Sequence, residues 1–128
     1  MTMKGRLVLA ILAAVAILQG LWTAGESLAF FRADGWVESE PGIRLFVRET
    51  KASMKEEEGP PVLLIHGGGP GSIPNFDPGI PHYSLAEDIA AAGYFVTMMD
   101  VRGFGKSAGR SSAVSADEAV KDIAAVVD

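Results

Sequence analysis

Two stretches of this chain bring together residue types that do chemistry. The first is Asp100 to Ser112, DVRGFGKSAGRSS. Within it, Gly105-Lys106-Ser107-Ala108-Gly109 spells G-x-S-x-G, the pattern that holds a nucleophilic serine on a strained turn between a strand and a helix. Overlapping that pattern, Gly105-Lys106-Ser107 spells the G-K-S that ends a phosphate-binding loop. Ser107 is thus offered at once as a nucleophile and as a magnesium ligand. The second stretch is Gly67-Gly68-Gly69-Pro70-Gly71, directly after His66. Glycines let backbone approach a ligand closely and Pro70 stiffens the turn, so the N–H groups of Gly68 and Gly69 can be held pointing into a cleft. Fixed N–H donors suit an oxyanion.

Each chemistry makes demands on the neighbouring elements. A serine elbow needs a strand immediately before the serine and a helix immediately after it. Here the strand-like run Tyr94 to Met99 ends near Asp100, and the next helical pattern does not open until Ser115. A phosphate loop needs a glycine at position 100, where Asp100 stands, and a helix starting at Lys106. Both motifs fail on context. Ser107 therefore reads as part of a turn after a strand, with Gly103 and Gly105 permitting the turn and Asp100 and Arg102 available to tie it down by hydrogen bonds. His66 reads as a strand-end histidine that orients its loop rather than as a general base, because a triad base must face a nucleophile. For His82 the sequence names no partner. Asn75, Phe76 and Asp77 read as ordinary loop residues, with pocket lining as the alternative.

The elements that must position these residues follow from pattern. Trp36 to Thr50 reads as two short strands around Glu40-Pro41-Gly42, a hairpin whose second strand alternates Ile43, Leu45, Val47 with Arg44, Phe46, Arg48. Pro61 to Ile65 is a continuous apolar run, predicting a strand buried on both faces of a parallel sheet. The seventeen residues from Gly67 to Tyr83 hold four of the seven prolines and form a connection several times the usual length. Ser84-x-x-Glu87 caps a helix with Leu85, Ile89 and Ala92 on one face and Gly93 at its stop. Ser115-x-x-Glu118 opens another, with a stripe of Ala116, Ala119, Val120, Ile123 and Val127. The order β, β, β, α, β, α predicts an α/β sheet with right-handed crossovers. In such sheets ligands sit beyond the carboxyl ends of the strands, where both chemical stretches lie.

Composition narrows the classes. At 128 residues, 48% hydrophobic, the chain has room for one domain. It contains no cysteine, which excludes a disulfide framework and a cysteine-based metal site. A formal charge of −5, with no basic cluster beyond the N-terminus, argues against a nucleic-acid partner. Lys4 and Arg6 precede the apolar run Leu7 to Leu18, which gives residues 1–29 the character of an export or anchoring segment. Ser27-Leu28-Ala29 supplies the small residues a signal peptidase reads, making Phe30 the mature start. The alternative is a retained membrane anchor over Leu7 to Gly25, with Trp22 at the interface. Either reading gives an exported (periplasmic or extracellular) or membrane-anchored protein, with residues 30–128 as the globular part.

VLLIHGGGPGS followed by GYFVTMMDVRGFGKS resembles the N-terminal half of the α/β-hydrolase superfamily, from about Trp36 to Asp128. The combination of an apolar strand ending in His-Gly-Gly with a later strand ending in Asp-x-Arg-Gly-x-Gly-x-Ser carries the resemblance. The triple glycine with Pro-Gly is similar to branches that hydrolyse carbon–carbon bonds of ring-cleavage products, and to prolyl aminopeptidases. The resemblance implies the N-terminal half of a hydrolase sheet. It also implies that Gly68 donates an oxyanion N–H, that Gly69 shapes the loop, and that His66, Pro70, Gly71, Asp100, Arg102, Gly103 and Gly105 are structural loop residues. The nucleophile, acid and base of that family come later in chain order and are absent from these 128 residues.

The expected function is hydrolysis of an ester, amide or activated carbon–carbon bond in a small-molecule substrate, without cofactor or metal. The chain alone is expected to be inactive and marginally stable, because the Pro61 to Ile65 strand lacks its partner and becomes an exposed edge. Two alternatives stand beside this. One is a non-enzymatic, membrane-tethered half-domain acting through that edge, and a more remote one is a nucleotide-binding module.

Overall fold

The computed structural model describes residues 29–52, 59–107 and 114–128. The expected leader lies outside them, and no helix among the described residues is long and apolar enough to cross a membrane. Among the described residues seven elements follow one another: β1 (Phe31–Glu40), β2 (Ile43–Lys51), β3 (Pro61–Ile65), α1 (Ser72–Phe76), α2 (Leu85–Ala91), β4 (Phe95–Met99) and α3 (Ala116–Val127). The strands form one mixed sheet in the order β1-β2-β4-β3. β1 and β2 make an antiparallel hairpin, β2 runs antiparallel to β4, and β4 runs parallel to β3.

The register sets the two faces. Arg32, Trp36 and Phe46 share a face with Val96, Met98 and Leu64, and α2 covers it with Ala86 and Ala90. The opposite face carries Val37, Val47, Thr97 and Leu63, with Val126 and Val127 of α3 above it. Leu45 and Phe46 are both fully buried, so β2 is covered on both sides where it passes between the helices. β2 and β4 are the inner strands, and in β4 Val96, Met98 and Met99 are buried.

Four expectations change. The apolar β3 is not buried on both faces, with Pro61 and Ile65 exposed; its place at an edge of the described sheet, beside β4, is the expected one. The long connection after it contains the short helix α1, so the order is β, β, β, α, α, β, α. On α2 the core face is Ala86, Ile89 and Ala90, whereas Leu85 is 46% exposed and Ala92 is exposed. Small alanines let the helix approach the sheet closely, and bulky Leu85 at its start is left outside. On α3, Val120 and Val127 are exposed and the buried residue is Asp122. A paired carboxylate faces the sheet there, which a hydrophobic pattern cannot show.

The caps behave as their spacing suggests. Ser115 and Glu118 form a complete capping box. Ser84 accepts from the Glu87 N–H, but the Glu87 carboxylate turns away to Arg32 and leaves the box half closed.

Candidate functional site

Ile65 stands opposite Met99 in the parallel register of β3 and β4, so His66 and Asp100 leave the sheet at one level. The two chemical stretches therefore start side by side. Gly67, Gly68, Gly69 and Pro70 are exposed, and a side chain at Gly67 or Gly68 would meet open space. Among the described residues no protein acceptor pairs with the N–H of Gly68 or Gly69.

Around this exposed segment the backbone is pinned from several sides. His66 is 4% exposed, and its Nε2 accepts the Val101 N–H at 3.0 Å. That bond assigns the ring proton to Nδ1, which donates to the Gly67 carbonyl at 2.6 Å. Both ring nitrogens are thereby engaged, and Phe104 stands edge-on to the ring at 5.6 Å. His66 joins the start of the glycine loop to the turn after β4.

Asp100 makes the second connection. Its side chain is buried, and its two oxygens serve different loops. Oδ1 accepts from both the N–H and the hydroxyl of Ser72, at 2.5 and 2.6 Å. Oδ2 accepts from the Lys106 N–H at 2.7 Å. The backbone of Asp100 also donates to the Phe46 carbonyl at 2.9 Å, prolonging the β2–β4 pairing. Helix α1 begins at Ser72 after Gly71, which offers no side-chain cap, so one of its orphan N–H groups is satisfied by an aspartate 28 residues away.

Space for that carboxylate comes from missing side chains. A Cβ at Gly71 would lie 2.9 Å from Asp100 Oδ1, and a Cβ at Gly105 only 2.1 Å from Oδ2. Both glycines also have positive φ, 116° and 53°, which L side chains rarely adopt.

The far end of α1 is fixed by charge. Asp77, 2% exposed, accepts from Arg32 Nε at 2.7 Å and Nη2 at 2.9 Å, from Arg48 Nη1 at 3.1 Å and from the Ser84 hydroxyl at 2.8 Å. The Arg32 hydrogen bonds outweigh the opposing effect of burial and hold the Asp77 carboxyl down at about 2. Arg48 is shared with Asp34 and Arg32 with Glu87, and both guanidiniums are raised above their ordinary value by these carboxylates. An open depression of about 380 Å³ lies here, lined by Arg32, Arg48, Asp77, Ile80, Ser84 and Glu87. The acid and base side chains lining it are already paired with one another.

Ser107 is a structural clamp. Its hydroxyl donates to the Asp100 carbonyl at 2.7 Å and accepts the Phe46 N–H at 2.8 Å. Lys106 lays its Nζ 4.4 Å above the Phe46 ring and 3.7 Å from Asp34. Neither side chain is placed for attack on a substrate or for a phosphate. Arg102 does not fold into its own turn: it crosses to α3, where it pairs with Asp122, and also reaches Glu40 and Glu118. Gly103 supplies a positive φ, 77°, inside the turn.

Asn75 donates to the Gly71 carbonyl at 2.6 Å, and Phe76 packs against the core cluster. His82 is exposed, with a left-handed φ of 65°. Among the described residues no group of three or more His, Asp or Glu side chains converges to hold a metal ion. Sequence reasoning missed Ser72, Arg32, Arg48 and Asp122. The capping logic of a helix starting after glycine signals the need for a remote acceptor, but it does not identify one.

Comparison with known proteins agrees with this fold. The family model described as alpha/beta hydrolase fold matches residues 60–128. No curated protein matches the chain. Among solved structures, an esterase of Pyrococcus furiosus is similar with a TM-score of 0.54 and 25% identity, covering 83% of this chain and 37% of that one. A hypothetical protein from Pseudomonas aeruginosa is similar in fold, with a TM-score of 0.53 and 20% identity over 84% of this chain and 33% of the other. The chain thus spans about a third of the length of these structures. From the sheet order, the paired loops at its carboxyl edge and the family match over residues 60–128, the chain belongs to the alpha/beta hydrolase fold family.

Proposed function

We propose that this chain supplies the oxyanion loop of a serine-type hydrolase acting on esters, amides or activated carbon–carbon bonds. The observation that carries the reading is the exposed Gly67–Pro70 backbone, held on either side by His66 and Asp100 while the N–H groups of Gly68 and Gly69 stay without protein acceptors among the described residues. When a serine oxygen adds to a substrate carbonyl, the carbonyl oxygen becomes an oxyanion, and the Gly68 N–H is the donor on this chain that stabilises it. The second donor follows the nucleophile, and nucleophile, acid and histidine belong to sequence downstream of Asp128. The esterase among the similar structures favours an ester as the first substrate to try. Residues 1–29 export or anchor the protein, and N-terminal sequencing that finds Phe30 first supports cleavage.

The test uses the complete coding sequence. Its continuation is expected to encode a strand ending in G-x-S-x-G, and its product to hydrolyse a short p-nitrophenyl ester. Gly68→Pro, which removes the N–H, is expected to lower kcat by about 100-fold, the scale of one lost oxyanion donor. An unchanged kcat rules out the role of Gly68. The 128 residues alone are expected to be inactive, and ester hydrolysis by them that Ser107→Ala abolishes would restore Ser107 as the nucleophile.

A second reading, a half-domain that acts by pairing its open edge with another chain, is favoured by β3, whose Ile65 is 41% exposed at the edge of the described sheet. Residues 30–128 that run as a cooperative monomer in sedimentation argue against it.

A further inference from the structure

We propose that Asp100 and Ser72 form a strut that sets the position of the Gly67–Gly71 backbone, making Asp100 a positioning residue for oxyanion stabilisation. This rests on the oxyanion-loop reading above. The loop is fixed to the sheet at its first residue by His66, but its last residue, Gly71, precedes a five-residue helix with no cap of its own. Left there, the loop would hinge. The Asp100 carboxylate closes the hinge by taking two donors from Ser72 on Oδ1, while Oδ2 holds the turn at Lys106. Asp100 is the first residue after β4, so the strut transfers the rigidity of an inner strand to the loop.

The chemistry requires an aspartate. Three donors converge on the two oxygens, so both oxygens must accept. An asparagine can offer its oxygen to Ser72 or to Lys106 but must then present an N–H to the other N–H. The fit also requires glycine on both sides, since a Cβ at 71 or 105 would enter the carboxylate. Catalytic donors displaced by a fraction of an ångström lose most of their effect on a developing charge, whereas substrate binding through other contacts is less affected.

The experiment measures hydrogen exchange and steady-state kinetics on the full-length protein for Ser72→Ala, Asp100→Asn and Gly68→Pro. Ser72→Ala keeps the N–H bond and removes only the hydroxyl, so it is the variant expected to remain folded. It is expected to speed exchange of the amides in 67–76 about 10-fold, to leave β4 and α2 unchanged, and to lower kcat about 10-fold with KM unaltered. Asp100→Asn, where it folds, is expected to do the same more strongly and to speed exchange at Lys106 as well. Unchanged exchange in 67–76 overturns the strut. So does a uniform rise across β2, β4 and the loop, which marks general destabilisation, and so does a kcat that falls with Gly68→Pro but not with Ser72→Ala. A kcat insensitive to Gly68→Pro sinks the oxyanion reading instead, and the loop exchange still reports on the strut.

Discussion

Arg102, in the turn after β4, donates from Nε and Nη2 to the two oxygens of Asp122 in α3, at 2.9 and 2.5 Å, and both side chains are nearly excluded from solvent. This fork-to-fork pair fixes a helix to a turn across the edge of the sheet. Burial pushes the Asp122 carboxyl up, but the Arg102 hydrogen bonds prevail and hold it below its ordinary value. Replacing Asp122 with alanine leaves a buried guanidinium with only Glu40 and Glu118 beside it. We expect a loss of about 3 kcal/mol in urea unfolding, at the lower end for a broken buried pair because two carboxylates remain. A loss below about 1 kcal/mol would show that α3 is held by its apolar side alone.

Acid should release the far end of α1. Asp77 sits at about 2, below the ordinary range of an aspartate carboxyl. A depressed carboxyl contributes stability above the unfolded value, and the contribution disappears as pH falls through the folded one. The window is therefore pH 4 down to 2. The shift corresponds to about 1–2 kcal/mol after allowance for solvent around the half-open arginines. Unfolding followed between pH 5 and 2 is expected to lose this increment in the native protein and to show a flatter dependence in Asp77→Asn.

Ser107→Ala is expected to cost stability without touching chemistry. It removes an acceptor from the Phe46 N–H and a donor from the Asp100 carbonyl, at the end of the β2–β4 pairing. An unpaired buried donor makes the cost about 1–3 kcal/mol. Thermal unfolding measures it, and under the proposed function the kcat for an ester is expected to be kept.

Gly105→Ala is expected to be among the most damaging single-methyl changes in the chain. Positive φ alone costs an alanine about 1 kcal/mol, and the new Cβ would lie 2.1 Å from Asp100 Oδ2. Together we expect more than about 3 kcal/mol in chemical unfolding. Gly42→Ala, with a similar φ of 82° but open space around it, is the control and is expected to show only the backbone part.

These relationships mark how far the sequence could be read. β3, β4 and the two caps were legible because they rest on local patterns: a continuous apolar run, and Ser and Glu at fixed spacing. Helix α1 was hidden because Pro74 and an uncapped Gly71 argue against a helix locally. Proline is tolerated in the first turn, where its missing N–H would have no partner, and the cap arrives from Asp100. The inward face of α3 was misread because Asp122 is admitted to the interior only by Arg102, a tertiary pairing that periodicity does not encode. The glycine loop and the Asp100 turn were both visible as motifs. Their physical connection was not, since it depends on two strands lying in parallel register.

The carboxylate seated between Gly71 and Gly105 makes three positions in three segments behave as one steric unit. Its genetic signature is epistasis. A methyl group at 105 meets an oxygen only while an aspartate occupies 100, so shortening Asp100 to alanine relieves the collision even as it frees both loops. The double variant Gly105→Ala/Asp100→Ala should therefore lose less stability than the sum of its parts. Enlarging Gly105 during evolution or design would require remaking position 100 in the same step, whereas a side chain at 71 would also meet the Gly105 Cα, 2.9 Å away.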